Sequence, residues 1–254
     1  MSRMLPVLIG TVLLGAALAA AEAPDDDARA LVKRVIDAAP EVPYVSRMEL
    51  TTPGGLVREF NMNGKHMENG VEARYIEVTG PMNLKDTRYL LYDRSQRRDD
   101  QYVYIPFMKR VVRLSEKTRH EPFLGSTFFV DDMIKRALDD YTYRFVGDEM
   151  VGQRACKLVE CTPKHPENEA YGKIIAAIDP IDLVVMRAQL FNQDGKLFKL
   201  HSTDIIEKID GYWTPRQQTM RNLDDNDASQ LTTVEIQYNA PLGDDVFRQA
   251  YLGR

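Results

Sequence analysis

Asp100–Met133, DQYVYIPFMKRVVRLSEKTRHEPFLGSTFFVDDM, is the stretch on which the reading of the fold turns. Alternating aromatic and aliphatic residues from Tyr102 to Ile105 predict a strand, and Pro106 ends it. A second, basic strand is predicted over Arg110–Leu114. Gly125-Ser126 marks a turn, and Asp131-Asp132 opens a short helix over Asp131–Leu138. The order is strand, turn, strand, loop, helix, with no catalytic constellation among them.

Working outward, period-two alternation dominates the chain. On the N-terminal side it predicts Tyr44–Thr51 and Leu56–Met62, joined by the turn Thr52-Pro53-Gly54-Gly55, then Ala73–Thr79 and Arg88–Tyr92. On the C-terminal side it predicts Tyr141–Glu149, Arg154–Thr162, Lys173–Ile178, Leu183–Asn192, Lys196–Asp204, Trp213–Leu223 and Leu231–Tyr238. This is a meander of about a dozen strands, and a flat open sheet of that size is disfavoured, so it must curl. Before it, Ala28, Leu31, Val32, Val35, Ile36 and Ala39 follow the helical i, i+3, i+4, i+7 pattern, with Asp25–Asp27 at the start and Pro40 at the end. The expected fold is α+β: a large curled antiparallel sheet, an unclosed half-barrel of about 11–12 strands. The N-terminal amphipathic helix and the short second helix cover its concave apolar face, and the other face meets solvent.

The first 21 residues read as a secretion signal: Arg3, an apolar run from Leu5 to Leu18, and Ala19-Ala20-Ala21 as a small-residue cleavage site, with cleavage as late as residue 23 as the alternative. The run is short for a bilayer span of about 20 apolar residues. Roughly 230 residues remain, read as one domain over 22–254. The formal charge of −5 becomes −6 once Arg3 leaves, which argues against nucleic acid as a partner. The mature chain is expected to be soluble, outside the cytoplasm and monomeric.

In the second strand Leu56, Arg58, Phe60 and Met62 share one face, so an arginine stands on an apolar surface. Its guanidinium must meet a carboxylate, backbone carbonyls or a ligand head group, or else snorkel to the rim. Arg58, Phe60 and Met62, with Met48 and Leu50 of the first strand, are the candidate ligand-binding residues. The chain has 11 methionines, nine after the signal, whose flexible thioethers suit a cavity that repacks round variable chains as well as an ordinary core. Arg110 and Arg113, oddly spaced on a strand, are candidates for contact with a partner or an anionic head group, or are simply charges that keep an edge from pairing. Cys156 and Cys161 lie about 16 Å apart along an extended strand, which favours two buried thiols over a disulfide.

No motif calls for catalysis, a metal or a cofactor. His120-Glu121-Pro122 lacks the second histidine of a zinc helix, Gly125-Ser126 lacks the glycine of a nucleophile elbow, and Asp224-Asp225-Asn226-Asp227 lacks the glycine and glutamate of a calcium loop. The expectation is a protein that is not an enzyme.

Three motifs carry a family resemblance: Asp100-Gln101-Tyr102-Val103-Tyr104-Ile105-Pro106, Arg110 with Arg113, and Phe123-Leu124-Gly125-Ser126-Thr127-Phe128. In this order they resemble D-x-W-x-Y-x-P, R-x-x-R and F-x-G-S-x-F of the LolA-like outer membrane lipoprotein-sorting family, with Tyr102 where the family carries Trp. Asp194-Gly195-Lys196-Leu197-Phe198-Lys199 and Ile209-Asp210-Gly211-Tyr212-Trp213 extend the resemblance towards the C-terminus. The resemblance implies a periplasmic half-barrel that carries a lipid or lipoprotein acyl chain, often beside an RND/MMPL-type inner-membrane transporter. It also implies a rival reading, an envelope lipid sensor or interaction module that restrains a membrane partner.

Overall fold

The computed structural model describes residues 25–68, 71–93 and 101–254. The expected signal at 1–21 lies outside them, as does Asp100. Helix α1 (Asp26–Ala38) begins where the Asp25 carboxylate accepts from the backbone N–H of Asp27 at 2.8 Å and of Ala28 at 3.3 Å. Asp26 and Asp27 place negative charge in the first turn, where the helix dipole favours it. Ala28 and Leu31 are buried, with Val32 and Val35 beside them, so the stripe read from the sequence is the one that meets the sheet.

Thirteen strands follow. The first six are β1 (Tyr44–Thr51), β2 (Val57–His66), β3 (Glu72–Gly80), β4 (Arg88–Asp93), β5 (Gln101–Ile105) and β6 (Arg110–Arg113). The rest are β7 (Tyr141–Val151), β8 (Arg154–Pro163), β9 (Lys173–Asp179), β10 (Val184–Phe191), β11 (Leu197–Ile209), β12 (Tyr212–Asn222) and β13 (Asp227–Tyr238). Every strand span read from the alternation has a counterpart, and the count is thirteen rather than 11–12. All pair antiparallel in one sheet, in the order β6-β5-β4-β3-β2-β1-β13-β12-β11-β10-β9-β8-β7. Consecutive strands are neighbours except β6 and β7, which form the two edges, while β1 and β13 pair at the centre. The sheet is an unclosed half-barrel, open between β6 and β7.

That opening gives the connection 114–140 its task, because it must travel from one edge to the other. It does so across the concave face as a strap. Phe123, Phe128, Val130 and Met133 of the strap are buried against Leu50, Phe60 and Ile76 of the sheet. Phe123 meets Phe60 edge-on at 5.7 Å between ring centroids and Tyr89 at 5.5 Å. A connection this long, with nothing more regular than single helical turns, is uncommon in a compact fold and commonly functional.

The helix expected over Asp131–Leu138 does not form. Two 3-10 turns, Val130–Met133 and Leu138–Asp140, stand there with extended Ile134 between them. Eight residues are too few to sustain an isolated α-helix, and here tertiary contacts set the backbone instead. A single helical turn, α2 (Glu116–Arg119), forms earlier in the strap, where Ser115 accepts from the Thr118 N–H.

The outer face is also not all solvent, as the alternation had suggested. Two 3-10 turns after β13, Asp244–Phe247 and Gln249–Tyr251, lie over β3–β5 and bury Phe247 and Leu252 against Ala73, Tyr75 and Leu90. Arg88 fixes this tail by donating to the carbonyls of Leu252 at 3.1 Å and Arg254 at 2.6 Å. Segments of one 3-10 turn have neither period on which the sequence reading rests.

Candidate functional site

Between α1, the strap and the concave face lies a cavity of about 490 Å³. Such a volume falls within the ~300–1,000 Å³ of ligand pockets. Val32, Val35 and Ile36 of α1 form one wall, and Met48, Met62, Ile174, Ile178, Ala188 and Leu231 line the sheet side. Its position follows from topology: helix and strap cover the same face from different directions and do not fill the space where they meet.

The wall also carries polar groups. Arg74 of β3 donates to the Glu72 carboxylate and to the Met133 carbonyl, which tethers the strap. Burial would raise the Glu72 pKa, but the adjacent Arg74 outweighs it and holds the carboxyl below its ordinary range. In the strap, Arg136 donates to Asp132 at 3.2 Å and sits 5.4 Å from the centre of the Tyr171 ring. The Tyr171 hydroxyl donates to both Asp132 oxygens, at 2.9 and 3.1 Å. Burial would lower the Arg136 pKa, yet Tyr141, Asp132 and Tyr171 around it hold it above its usual value. His201 and Gln218 face each other at 3.2 Å, and burial pushes the imidazole pKa down, so the pair is neutral at pH 7. Lys135 reaches the Ile36 carbonyl at 3.3 Å.

Beside the cavity, Lys199 is 2% exposed and donates to the Thr127 carbonyl at 2.7 Å. Its ammonium lies 3.1 Å from the centre of the Phe129 ring. Burial brings its pKa down to about 8. Thr127 further donates from its hydroxyl to the Met220 carbonyl at 2.6 Å, and its N–H to Ser229 at 3.0 Å. The F-x-G-S-x-F motif is thus the point where the strap is fastened to β11, β12 and β13. Leu124 and Gly125 take positive φ (51° and 77°), so the glycine serves the turn.

The residues singled out from the sequence separate. Met48 and Met62 line the cavity. Leu50 and Phe60 are fully buried beneath the strap. Arg58 is half-buried opposite Leu50, and its Nε donates to the Leu124 carbonyl at 3.4 Å, a long contact with the strap. Arg110 and Arg113 stand at the two ends of edge strand β6, both exposed, and the turn before it carries Phe107, 98% exposed. Cys156 and Cys161 are free thiols. Cys161 lines the cavity, where burial takes its pKa up to about 12, while Cys156 is buried with Ala177 and Met186. Sequence reasoning missed Arg74, though the signal was present: it alternates onto the face of Ile76 and Val78, as Arg58 does onto that of Phe60. Lys135 and Arg136 carried no such signal, because the strap has no period.

No curated protein matches the sequence. A crystal structure of a DUF1329 family protein from Desulfovibrio piger matches with a TM-score of 0.85 and 25% identity, covering 90% of this chain and 99% of that one. A Vibrio parahaemolyticus domain described as outer membrane lipoprotein-sorting matches with a TM-score of 0.85 and 20% identity, over 90% and 99% of the two chains. A LolA superfamily protein from Nitrosomonas europaea matches with a TM-score of 0.69 and 16% identity, over 88% and 98%. The family model that matches residues 70–254 is described as "-like: Uncharacterized protein". The chain belongs to that family of uncharacterized proteins, and its fold is the one shared by LolA-superfamily and outer membrane lipoprotein-sorting proteins.

Proposed function

We propose that residues 22–254 form a periplasmic lipid-binding carrier, released from a signal peptide at 1–21, that shuttles a hydrophobic chain without covalent chemistry. The observation that carries this reading is the apolar cavity of about 490 Å³ between α1, the strap and the sheet. Transfer of about fourteen methylenes from water yields roughly 11 kcal/mol before costs. Desolvation and ordering consume much of that, leaving binding strong enough to hold a lipid and weak enough to release it.

A carrier needs a donor. An RND/MMPL-type inner-membrane transporter is the proposed partner, and Phe107 with Arg110 at the β5–β6 turn is its proposed contact. Arg113 at the far end of β6 is a secondary contact. An exposed aromatic beside basic residues supports such a role. Among the described residues no helix is long and apolar enough to cross a membrane.

Native mass spectrometry of the protein purified gently from the periplasm, with organic extraction of what it carries, tests the reading. A discrete lipid adduct is expected. A clean apo mass that persists after incubation with envelope lipids would count against a cavity that works alone.

A further inference from the structure

We infer that the ligand of this cavity is a long-chain amphiphile with an anionic group at one end, a carboxylate or a phosphate, and that Lys135 receives that group. The inference rests on the carrier reading and adds the chemistry of the ligand to it. Four charged side chains line the cavity: Arg74, Lys135, Arg136 and Asp132. Three are matched within the protein. Arg136 pairs with Asp132 at 3.2 Å, and Arg74 with Glu72.

Lys135 is the remaining charge. Among the described residues no carboxylate lies within 4.0 Å of its Nζ, which donates only to the Ile36 carbonyl at 3.3 Å. That carbonyl already accepts from the Ala39 N–H at 3.2 Å. The C-terminal end of α1 favours a cation but does not neutralise one. While the cavity holds water, the ammonium is solvated. The Glu72 carboxylate interacts with Lys135 only at longer range and is already paired with Arg74. When a hydrocarbon chain enters and expels the water, a cation without a counter-charge of its own therefore becomes expensive. A ligand that brings its own negative group removes that cost and gains a charge-assisted hydrogen bond. A neutral amphiphile of the same length strips the water and supplies a neutral acceptor at most, with no counter-charge. The neutral His201–Gln218 pair adds hydrogen-bonding capacity at the polar wall without adding charge.

Displacement of a fluorescent naphthylamine probe by palmitate, hexadecyl phosphate and hexadecanol tests this on the mature protein. The expected result is at least about tenfold tighter binding of either anion than of the alcohol, about what one charge-assisted hydrogen bond provides. In Lys135→Gln the anions lose about tenfold while hexadecanol is unchanged, and Lys135→Arg restores the anions. The better of the two anions identifies the group. Equal affinities for all three ligands, or an anion preference that survives in Lys135→Gln, overturn the inference and leave the carrier reading standing. Displacement by none of them overturns both.

Discussion

The Nζ of Lys199 donates to the Thr127 carbonyl oxygen at 2.7 Å, so a buried cation on the sheet holds the backbone of the strap. Burial depresses its pKa to about 8. NMR of isotope-labelled lysine is expected to find one residue titrating near 8. An unfolded lysine titrates at about 10.4. Between those two values this lysine binds more protons in the unfolded chain than in the native one, so its own contribution to stability rises with pH across the window. Above about pH 9 it is opposed by buried groups such as Cys161 whose pKa is raised. Below pH 8 the cost of the buried charge is fully present. Lys199→Met should remove that contribution and make the slope of stability with pH between about 8 and 10.4 more negative than in the wild type; a lysine spectrum with every pKa near 10.4 would dismiss this account.

Phe123 anchors the strap on the other half of the sheet, fully buried between Phe60 and Tyr89. Phe123→Ala removes both ring contacts and leaves a void, at a cost of about 3–5 kcal/mol. Urea denaturation measures it. A loss under about 1 kcal/mol would mean that the strap unfolds apart from the sheet.

Much of this fold was legible because strands and helices leave periods. The alternation in FNMNGKH puts Phe60 and Met62 on one apolar face, which the structure buries, and the 3.6-residue stripe of α1 is equally plain. The meander was legible from the short turns, but where it breaks and closes was not, since β6 and β7 part as the two edges and β1 to β13 is a long-range pairing with no local signature. Nor was the cavity. Its wall depends on where an irregular strap lies, and the hydrogen bonds that place it, from Arg74 to Met133 and from Lys199 to Thr127, link residues 59 and 72 positions apart. Alternation puts Arg58 on the apolar face, but only tertiary structure separates it from the cavity and gives it Leu124 as partner.

Arg58 thereby gains its own test. If its contact with the Leu124 carbonyl helps to hold the strap closed, Arg58→Leu keeps the fold and shortens ligand residence by several-fold. The contact is long at 3.4 Å, so stability should change by less than about 1 kcal/mol. Circular dichroism and the rate of lipid transfer to vesicles read the two effects. Unchanged transfer would return Arg58 to a purely structural role.

Ala188 is a small residue on the cavity wall, between Ala176 of β9 and His201 of β11 in register. A larger side chain there projects into existing space, so Ala188→Phe should not incur the full cost of about 1–3 kcal/mol that overpacking a dense core carries. The ring would occupy the volume a hydrocarbon chain needs. Probe binding should fall at least tenfold while the thermal midpoint stays within a few degrees of wild type. Cys161 gives an internal check, because its thiol, with a pKa near 12, lines the same cavity. It should resist maleimide at pH 7 in both proteins until denaturant is added. Retained probe affinity in Ala188→Phe, with Cys161 still protected, would move the ligand out of this cavity and on to another part of the molecule.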